Sequence, residues 1–404
     1  MLAKCLKCVS CKYEYPLVPL YECKECGGIL EVDYDYELVI DDDEILQGRE
    51  KYCKLLPIQR DTYVWLGEGN TALVEAKKLS SRLGIKKLLL KCEFRNPTGS
   101  FKDRPVSIGI SKAVEFGYKK VIVASSGNGA ASVAAYAART GLEAVVLVPE
   151  STPYEKVIQT LAYGAKVIRV KGPYSNCFAL AKEISESFDF FNVTTTFINP
   201  YTVEGDKTVA YELLNQMDYS VPDLIYVPIG AGPLLAGIYK GYFEAQNLGV
   251  STKIPRMVGI QAEGCSPIAR AFLSGHTDVI PEENPQTIAS GICDGLHGYA
   301  KDGTRTLQII KQSNGFSLYV SDTEITEAQN WLAREEGIFV EPSAAAIIAG
   351  IAKSIKENRI RKDCEIVCIL TGHGLKDMKN VKVGCNTPVI PNQASKLIEL
   401  LRYS

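Results

Sequence analysis

The sequence predicts an α/β fold, with parallel sheets covered by helices on both faces and a small cysteine-rich unit in front of them. Three observations carry this. From Lys119 onward, short apolar runs alternate with loops and helical stretches, and the second half repeats the alternation on a larger scale. Two Cys-x-x-Cys pairs crowd the start of the chain. Between these regions, Lys102 stands at a strand-to-helix junction rather than on a solvated helix face.

In chain order, residues 1–36 form the cysteine-rich unit. Cys8-x-x-Cys11 and Cys23-x-x-Cys26-Gly27-Gly28, separated by eleven residues, have zinc-ribbon spacing. Four thiolates around Zn²⁺ make a closed structural site, and so short a unit needs the metal to fold unless it packs on the main body instead. Cys5 is a spare in register with Cys8. Residues 37–60, with Asp41-Asp42-Asp43-Glu44, read as a solvated linker or helix cap. A turn-rich stretch, Leu66–Leu73, leads into a helix expected from about Glu75, and Lys87–Lys91 is a short apolar strand that delivers the chain to Lys102.

Then come strands at Val121–Ala124, Ala144–Val148 and Val167–Val170, with helices to about Ala138, near Glu155–Ala162 and near Asn176–Ser187. The larger repeat has strands at Leu224–Pro228, Met257–Gln261 and Cys364–Leu370, and helices from Pro233 to about Ala245, Glu324–Glu336 and Ser343–Lys356. Residues 275–305 are irregular and glycine-rich, and are expected to line or cover a cleft.

Bulk composition bounds the function. The chain has 404 residues, net charge -2 and 46% hydrophobic residues, enough for a large core in one to three domains. Near-neutrality leaves no basic stripe for nucleic acid. There is no signal-like start and no long apolar run, so a soluble cytoplasmic protein without membrane or nucleic-acid partners is expected. Thirteen cysteines, an odd number, fit reduced thiols, and Cys53, Cys92, Cys177, Cys265, Cys293, Cys364, Cys368 and Cys385 read as small buried hydrophobes. With three histidines, a histidine-based triad has little to work with.

The chemistry starts in Pro97-Thr98-Gly99-Ser100-Phe101-Lys102-Asp103. Asp103 is expected to cap the following helix, with Pro105 in its first turn. A lysine held there is desolvated and suits Schiff-base chemistry with an aldehyde. The same residues also suit a surface lysine beside a cap, and three further stretches decide between the two. Ser125-Ser126-Gly127-Asn128 follows a strand and opens a helix, which suits a carboxylate. Gly230-Ala231-Gly232, again between strand and helix, suits a phosphate, and it lacks the rest of the Rossmann fingerprint. Thr371 ends a buried strand. A lysine for an aldehyde, an asparagine for a phenolic oxygen, a glycine cradle for a phosphate and a hydroxyl for a pyridine nitrogen together fit pyridoxal phosphate.

On these residues the chain resembles the fold-type II pyridoxal-phosphate enzymes, and within them the threonine synthase family. The likeness covers almost the whole chain. It includes the ribbon, Gly67-Glu68-Gly69-Asn70-Thr71, the stretch Asn96–Asp103, Ser126-Gly127-Asn128 and Glu204-Gly205-Asp206-Lys207-Thr208. It continues in Glu336–Pro342 and Leu370–Asp377.

The resemblance implies that Lys102 carries the Schiff base and shuttles protons and that Asn128 faces the ring oxygen. It also implies that Gly230, Ala231 and Gly232 hold the phosphate and that Thr371 sits at the ring nitrogen. A neutral hydroxyl there favours eliminations and replacements over transamination. Ser125 and Ser126 would help bind the substrate carboxylate. The implied architecture is a zinc ribbon (1–36), a large αβ domain (37–105 and 205–404) and a small inserted αβ domain (106–204), with the cofactor in the cleft between the last two. Both αβ domains are doubly wound, and a homodimer is expected.

The implied reaction converts O-phosphohomoserine to threonine and phosphate. Three departures bear on it. Thr202 stands where the family often has a phosphate-binding arginine, Thr196-Phe197 where it tends to have Asn-Ser, and Gly127-Asn128-Gly129 where it has Gly-Asn-Thr. Each removes a polar group, and Lys156 remains as a candidate donor. The cradle also looks more like that of a serine/threonine dehydratase or a racemase. The alternative is therefore elimination or replacement on another amino acid, dehydratase-like or cysteate-synthase-like. A non-catalytic homologue is a third class, and Lys102 argues against it.

Overall fold

A computed structural model describes residues 2–39, 53–379, 381 and 387–402. The acidic run Asp41–Glu44 and Cys385 lie outside the described residues.

Three sheets organise the chain. β1 (Ala3–Cys8), β2 (Glu14–Tyr15) and β3 (Leu30–Tyr34) form a small antiparallel sheet in the order β2-β1-β3. A second, six-stranded sheet contains β4 (Leu73–Glu75), β5 (Lys87–Lys91), β10 (Leu224–Pro228), β11 (Arg256–Ala262), β12 (Phe316–Val320) and β13 (Glu365–Ile369). Its order is β12-β11-β10-β13-β5-β4, parallel except for β4. The third sheet is wholly parallel, in the order β8-β7-β6-β9. It comprises β6 (Lys120–Ala124), β7 (Glu143–Pro149), β8 (Lys166–Val170) and β9 (Phe191–Asn192).

The central strands have no polar face because helices cover both sides; every residue of β10 is buried. At the edge, the helix expected from Glu75 begins later. Leu73–Glu75 pairs antiparallel with β5, and α1 spans Lys77–Leu83.

Around the four-stranded sheet lie α2 (Asp103–Glu115), α3 (Asn128–Thr140), α4 (Tyr154–Ala162) and α5 (Tyr174–Ser187). Two short helices, α6 (Pro200–Asp206) and α7 (Thr208–Gln216), lead back toward the six-stranded sheet. Asn199 caps α6 by accepting the Tyr201 N–H at 3.0 Å, with Pro200 in the first turn. The larger sheet is covered by α8 (Pro233–Asn247), α9 (Pro267–Leu273), α10 (Ala300–Gln312), α11 (Asp322–Glu335) and α12 (Pro342–Lys356). Ser321 and Glu324 form a capping box that starts α11. A last helix, α13 (Ala394–Arg402), has no buried residue. Among the described residues no helix is long and apolar enough to cross a membrane.

The small sheet is clasped to both larger units. Glu22 accepts from Lys182 of α5 at 2.8 Å and from Lys301 of α10 at 3.1 Å. Tyr21 accepts the Asn192 N–H at 2.8 Å, Glu31 meets Arg305 at 2.8 Å, and Tyr34 donates to the buried Glu204 at 2.7 Å.

Candidate active site

Lys102 ends the loop that follows β5, and its amine projects into a cleft of about 970 Å³ between the two larger sheets. Its Nζ lies 3.4 Å from the Thr195 carbonyl and 4.6 Å from the centre of the Phe101 ring. Burial pushes the amine below the usual lysine range, against the pull of Asp206, Asp294 and Glu341.

The expected cap differs. Asp103 is the first helical residue, Lys102 is helical in conformation, and no side chain caps α2. The Asp103 carboxylate is taken instead by the Thr98 N–H and hydroxyl and by Ser132 of α3, each at 2.7 Å. It thereby fastens the lysine loop to α3, and burial raises its pKa to about 6. Next to it Arg104, fully buried, makes paired bonds to Glu93 (2.6 and 2.8 Å) and Glu212 (2.8 and 2.7 Å).

The cleft gathers the sequence-predicted residues. Ser125, Ser126, Asn128, Lys156, Gly230, Ala231, Gly232 and Thr371 all line it with Lys102. Two helix N-termini open into it, those of α3 and α8. Among the described residues, the main-chain N–H groups of Gly230, Ala231 and Gly232 find no protein acceptor, nor do those of Gly127 and Asn128. Gly232 has φ +95°, and a Cβ there would fall 2.4 Å from Thr306. Thr306 in turn donates to the Ala231 carbonyl at 2.6 Å, so the cradle's shape is held from α10. These unpaired donors, a nearby hydroxyl and a desolvated amine fit what a phosphorylated pyridoxal needs: donors for a phosphate, a partner for a ring nitrogen and an amine for an aldehyde.

Asn128 is turned toward an acid whose role the sequence does not reveal. Its Nδ2 donates to both oxygens of Glu341, at 3.2 and 3.1 Å. Glu341 is buried at the N-terminus of α12, and burial raises its pKa. Asp294, from the irregular stretch, faces Gly230 and accepts from Tyr299 at 2.6 Å. Residues 290–294 line the cleft as expected, whereas His297 is not among its lining residues.

Lys156 bridges the cleft mouth. From α4 it reaches Ser290 (2.7 Å) and Asp377 (3.3 Å) on the opposite side. One turn on, Gln159 accepts from Lys376 at 2.6 Å. Thr202 and Phe197 are buried away from the cleft, and the Thr202 hydroxyl bonds back to the Asn199 carbonyl at 2.8 Å. Thr196 does line it.

In the small sheet, Cys8, Cys11, Cys23 and Cys26 bring their sulfurs within 4.8 Å of one another. The Cys8–Cys26 and Cys11–Cys23 pairs are 3.5 Å apart. Four thiols so grouped fit one tetrahedral divalent ion. Cys5 stands apart, beside Glu14 and Asp33. Of the other cysteines, Cys92, Cys177, Cys265 and Cys368 are buried, while Cys53, Cys293 and Cys364 are partly exposed.

Comparison with known proteins agrees with this geometry. Residues 64–372 match the family described as pyridoxal-phosphate dependent enzyme. The chain is 41% identical over 391 residues to threonine synthase of Methanosarcina acetivorans, covering 95% of each chain. It is 43% identical over 385 residues to threonine synthase of Methanocaldococcus jannaschii, covering 93% of each. Among solved structures, maize serine racemase superposes with a TM-score of 0.65 over 83% of this chain and 92% of that one, at 24% identity, a likeness of fold. The chain is a pyridoxal-phosphate-dependent lyase and belongs to the threonine synthase family.

Proposed function

We propose that this chain converts O-phosphohomoserine and water to threonine and phosphate. The reading is carried by one observation: the likeness to threonine synthases runs the length of the chain, around a cleft whose donors suit the cofactor and an amino-acid substrate. When bound, pyridoxal phosphate supplies an electron sink for negative charge developing beside the substrate's amino group.

This chain's residues do the rest. Gly230, Ala231 and Gly232 would hold the cofactor phosphate through their N–H groups, Thr371 would meet the ring nitrogen, and Asn128, steadied by Glu341, would meet the ring oxygen. The N–H groups at the start of α3, with Ser125 and Ser126, would take the substrate carboxylate. The Lys102 amine, kept below its usual pKa by burial, is a base at Nζ for the proton lost from the substrate's α-carbon, and it can return that proton further along the side chain. The Lys156 and Gln159 bridges would shut the mouth and keep bulk water out. Lys156 is the candidate donor for the substrate phosphate.

The four clustered cysteines would hold Zn²⁺ in a closed structural site. A cytoplasmic homodimer completes the proposal.

The departures support a second reading, elimination or replacement on another amino acid. No arginine lines the cleft among the described residues, and Thr202 does not face it. Product analysis of the loaded enzyme with O-phosphohomoserine, L-threonine and L-serine in parallel separates the two. Threonine plus phosphate from the first supports the proposal. A 2-oxo acid from threonine or serine, with O-phosphohomoserine untouched, sinks it in favour of a dehydratase. Inertness toward all three by a loaded enzyme points to a replacement reaction that awaits a second substrate.

A further inference from the structure

We propose that Asp206 is the positioning residue for Lys102, a buried counter-charge behind the cleft that sets whether the lysine nitrogen carries a proton.

Three observations place it. Asp206 ends α6 and is 1% exposed, and its Oδ1 has no hydrogen-bond partner. A buried carboxyl without a partner is costly, and one left in that state calls for a reason. The chain around it is pressed against the lysine turn. A Cβ on Gly205 would fall 2.1 Å from the Arg104 carbonyl, and Thr208 accepts from the Arg104 guanidinium at 2.8 Å. From the other side, a Cβ on Gly237 of α8 would fall 2.5 Å from the Asp206 Cβ. The same helix that starts at the phosphate cradle thus backs Asp206 against the lysine turn.

The charges around the pair are few. Asp206, Asp294 and Glu341 are the acids whose charge acts on Lys102. Asp294 is already bonded to Tyr299 and Leu296, and Glu341 to Asn128. Of the three, Asp206 is the one with a fully buried oxygen that has no partner among the described residues. Lys102, Arg104 and Glu93 are the charges that act on Asp206. Arg104 is engaged by Glu93 and Glu212, which leaves Lys102 as the cation for Asp206. Burial raises the acid's pKa to about 8, within the range where the state of Lys102 changes it. The carboxyl is ionised when the lysine nitrogen is a cation and tends to be neutral when it is not. It would hold the nitrogen protonated while the cofactor is linked, and release that hold when Lys102 must act as a base.

This inference rests on Lys102 being the cofactor's attachment point. Loss of the visible band of the loaded protein in Lys102→Ala tests that point separately. The test of Asp206 is the pH midpoint of that band in Asp206→Asn. Asparagine keeps the shape and removes the charge. The midpoint is expected to fall by about one unit, a roughly tenfold loss of proton affinity at the nitrogen. An unchanged midpoint in a variant that folds and loads overturns the proposal whatever its melting temperature, because a merely structural carboxyl would move the melting temperature and leave the band alone. If the variant does not fold or load, the parent labelled with ¹³C-aspartate is measured by infrared difference spectroscopy across the band's transition. A buried aspartic-acid carbonyl that appears or vanishes with the band in the parent, and still does so in Asp103→Asn and Asp294→Asn, supports Asp206, and its absence overturns the proposal.

Discussion

Replacing Glu212 with glutamine tests whether charge or only shape holds the turn behind Lys102. Arg104 gives Glu212 two bonds, at 2.8 and 2.7 Å, and Lys91 gives it a third at 2.7 Å. Glu93 balances the set, so two cations face two carboxylates, all buried. Glutamine leaves both cations against Glu93 alone. Removing one member of a buried pair costs about 3–5 kcal/mol. A second route gives a similar figure. Burial alone would raise the Glu212 pKa, but Arg104 and then Lys91 overcome it and bring it from 4.5 to about 2. That difference, about 2.5 units, corresponds to about 3 kcal/mol. Because the folded pKa is depressed, this stability is fully present above pH 4.5 and is lost as pH falls through 2. Urea unfolding at neutral pH is expected to show Glu212→Gln about 3 kcal/mol less stable than the parent, with the gap narrowing as pH falls below 4.5. Adding Lys91→Met restores one cation to one carboxylate and is expected to regain about 1–2 kcal/mol. A loss under about 1 kcal/mol at neutral pH, or a gap that does not change in acid, would refute the assignment of this energy to charge.

Three further outcomes are expected. Gly232→Ala forces a side chain onto φ +95° and into Thr306, at about 1–2 kcal/mol for the backbone alone. Absorbance titration should show pyridoxal phosphate binding about tenfold weaker or worse, and unchanged affinity would mean that the cradle lies elsewhere. Cys23→Ser breaks the four-thiol cluster, so metal analysis of the purified protein should show bound zinc lost; parent-level zinc would remove the cluster from consideration. Lys156→Gln should raise KM for O-phosphohomoserine by roughly tenfold or more with kcat less affected, the worth of one charge-assisted bond, and an unchanged KM would free Lys156 of that role.

Much of the fold was legible because its central strands carry no competing signal. Strands such as Leu224–Pro228 are apolar throughout, and only a sheet covered on both faces buries them. The elements that escaped notice lack a period to read. Every residue of α6 is buried, so it shows no amphipathic stripe. Leu73–Glu75 is too short to declare itself against the helix that follows. At the site, Lys102, Asn128 and the two glycine loops were legible from strand-loop-helix context. Asp206 and Glu341 were visible only as letters within motifs, and Arg104 only as the residue before Pro105. Their roles depend on which residues from distant stretches are packed against them: Glu212 for Arg104, Gly237 for Asp206, Asn128 for Glu341. The expected Asp103 cap failed for the same reason, since Thr98 and Ser132 claim the carboxylate that a helix N-terminus would have used.

Substrate choice turns on the cleft mouth. A threonine in place of an arginine reads in sequence as one donor lost. In the fold it is more than that, because Thr202 packs against α2, its methyl 2.9 Å from where a Cβ on Gly109 would stand. The cations left for an anionic substrate include lysines on opposite lips, Lys156 on α4 and Lys376 beyond β13. Lysine offers a point charge rather than arginine's planar fork, so it attracts a phosphate while dictating less of its orientation. Both are already spent on contacts across the mouth, to Asp377 and Ser290 and to Gln159 and Thr98. An anion seated there has to draw them from those partners or join them. Its affinity therefore includes the free energy of rearranging the bridge between the two lips, and binding the anion and closing the cleft become one equilibrium. With the substrate carboxylate seated at α3 as proposed, that coupling would reward a substrate long enough to reach the lips and would penalise serine and threonine, which carry no second anion.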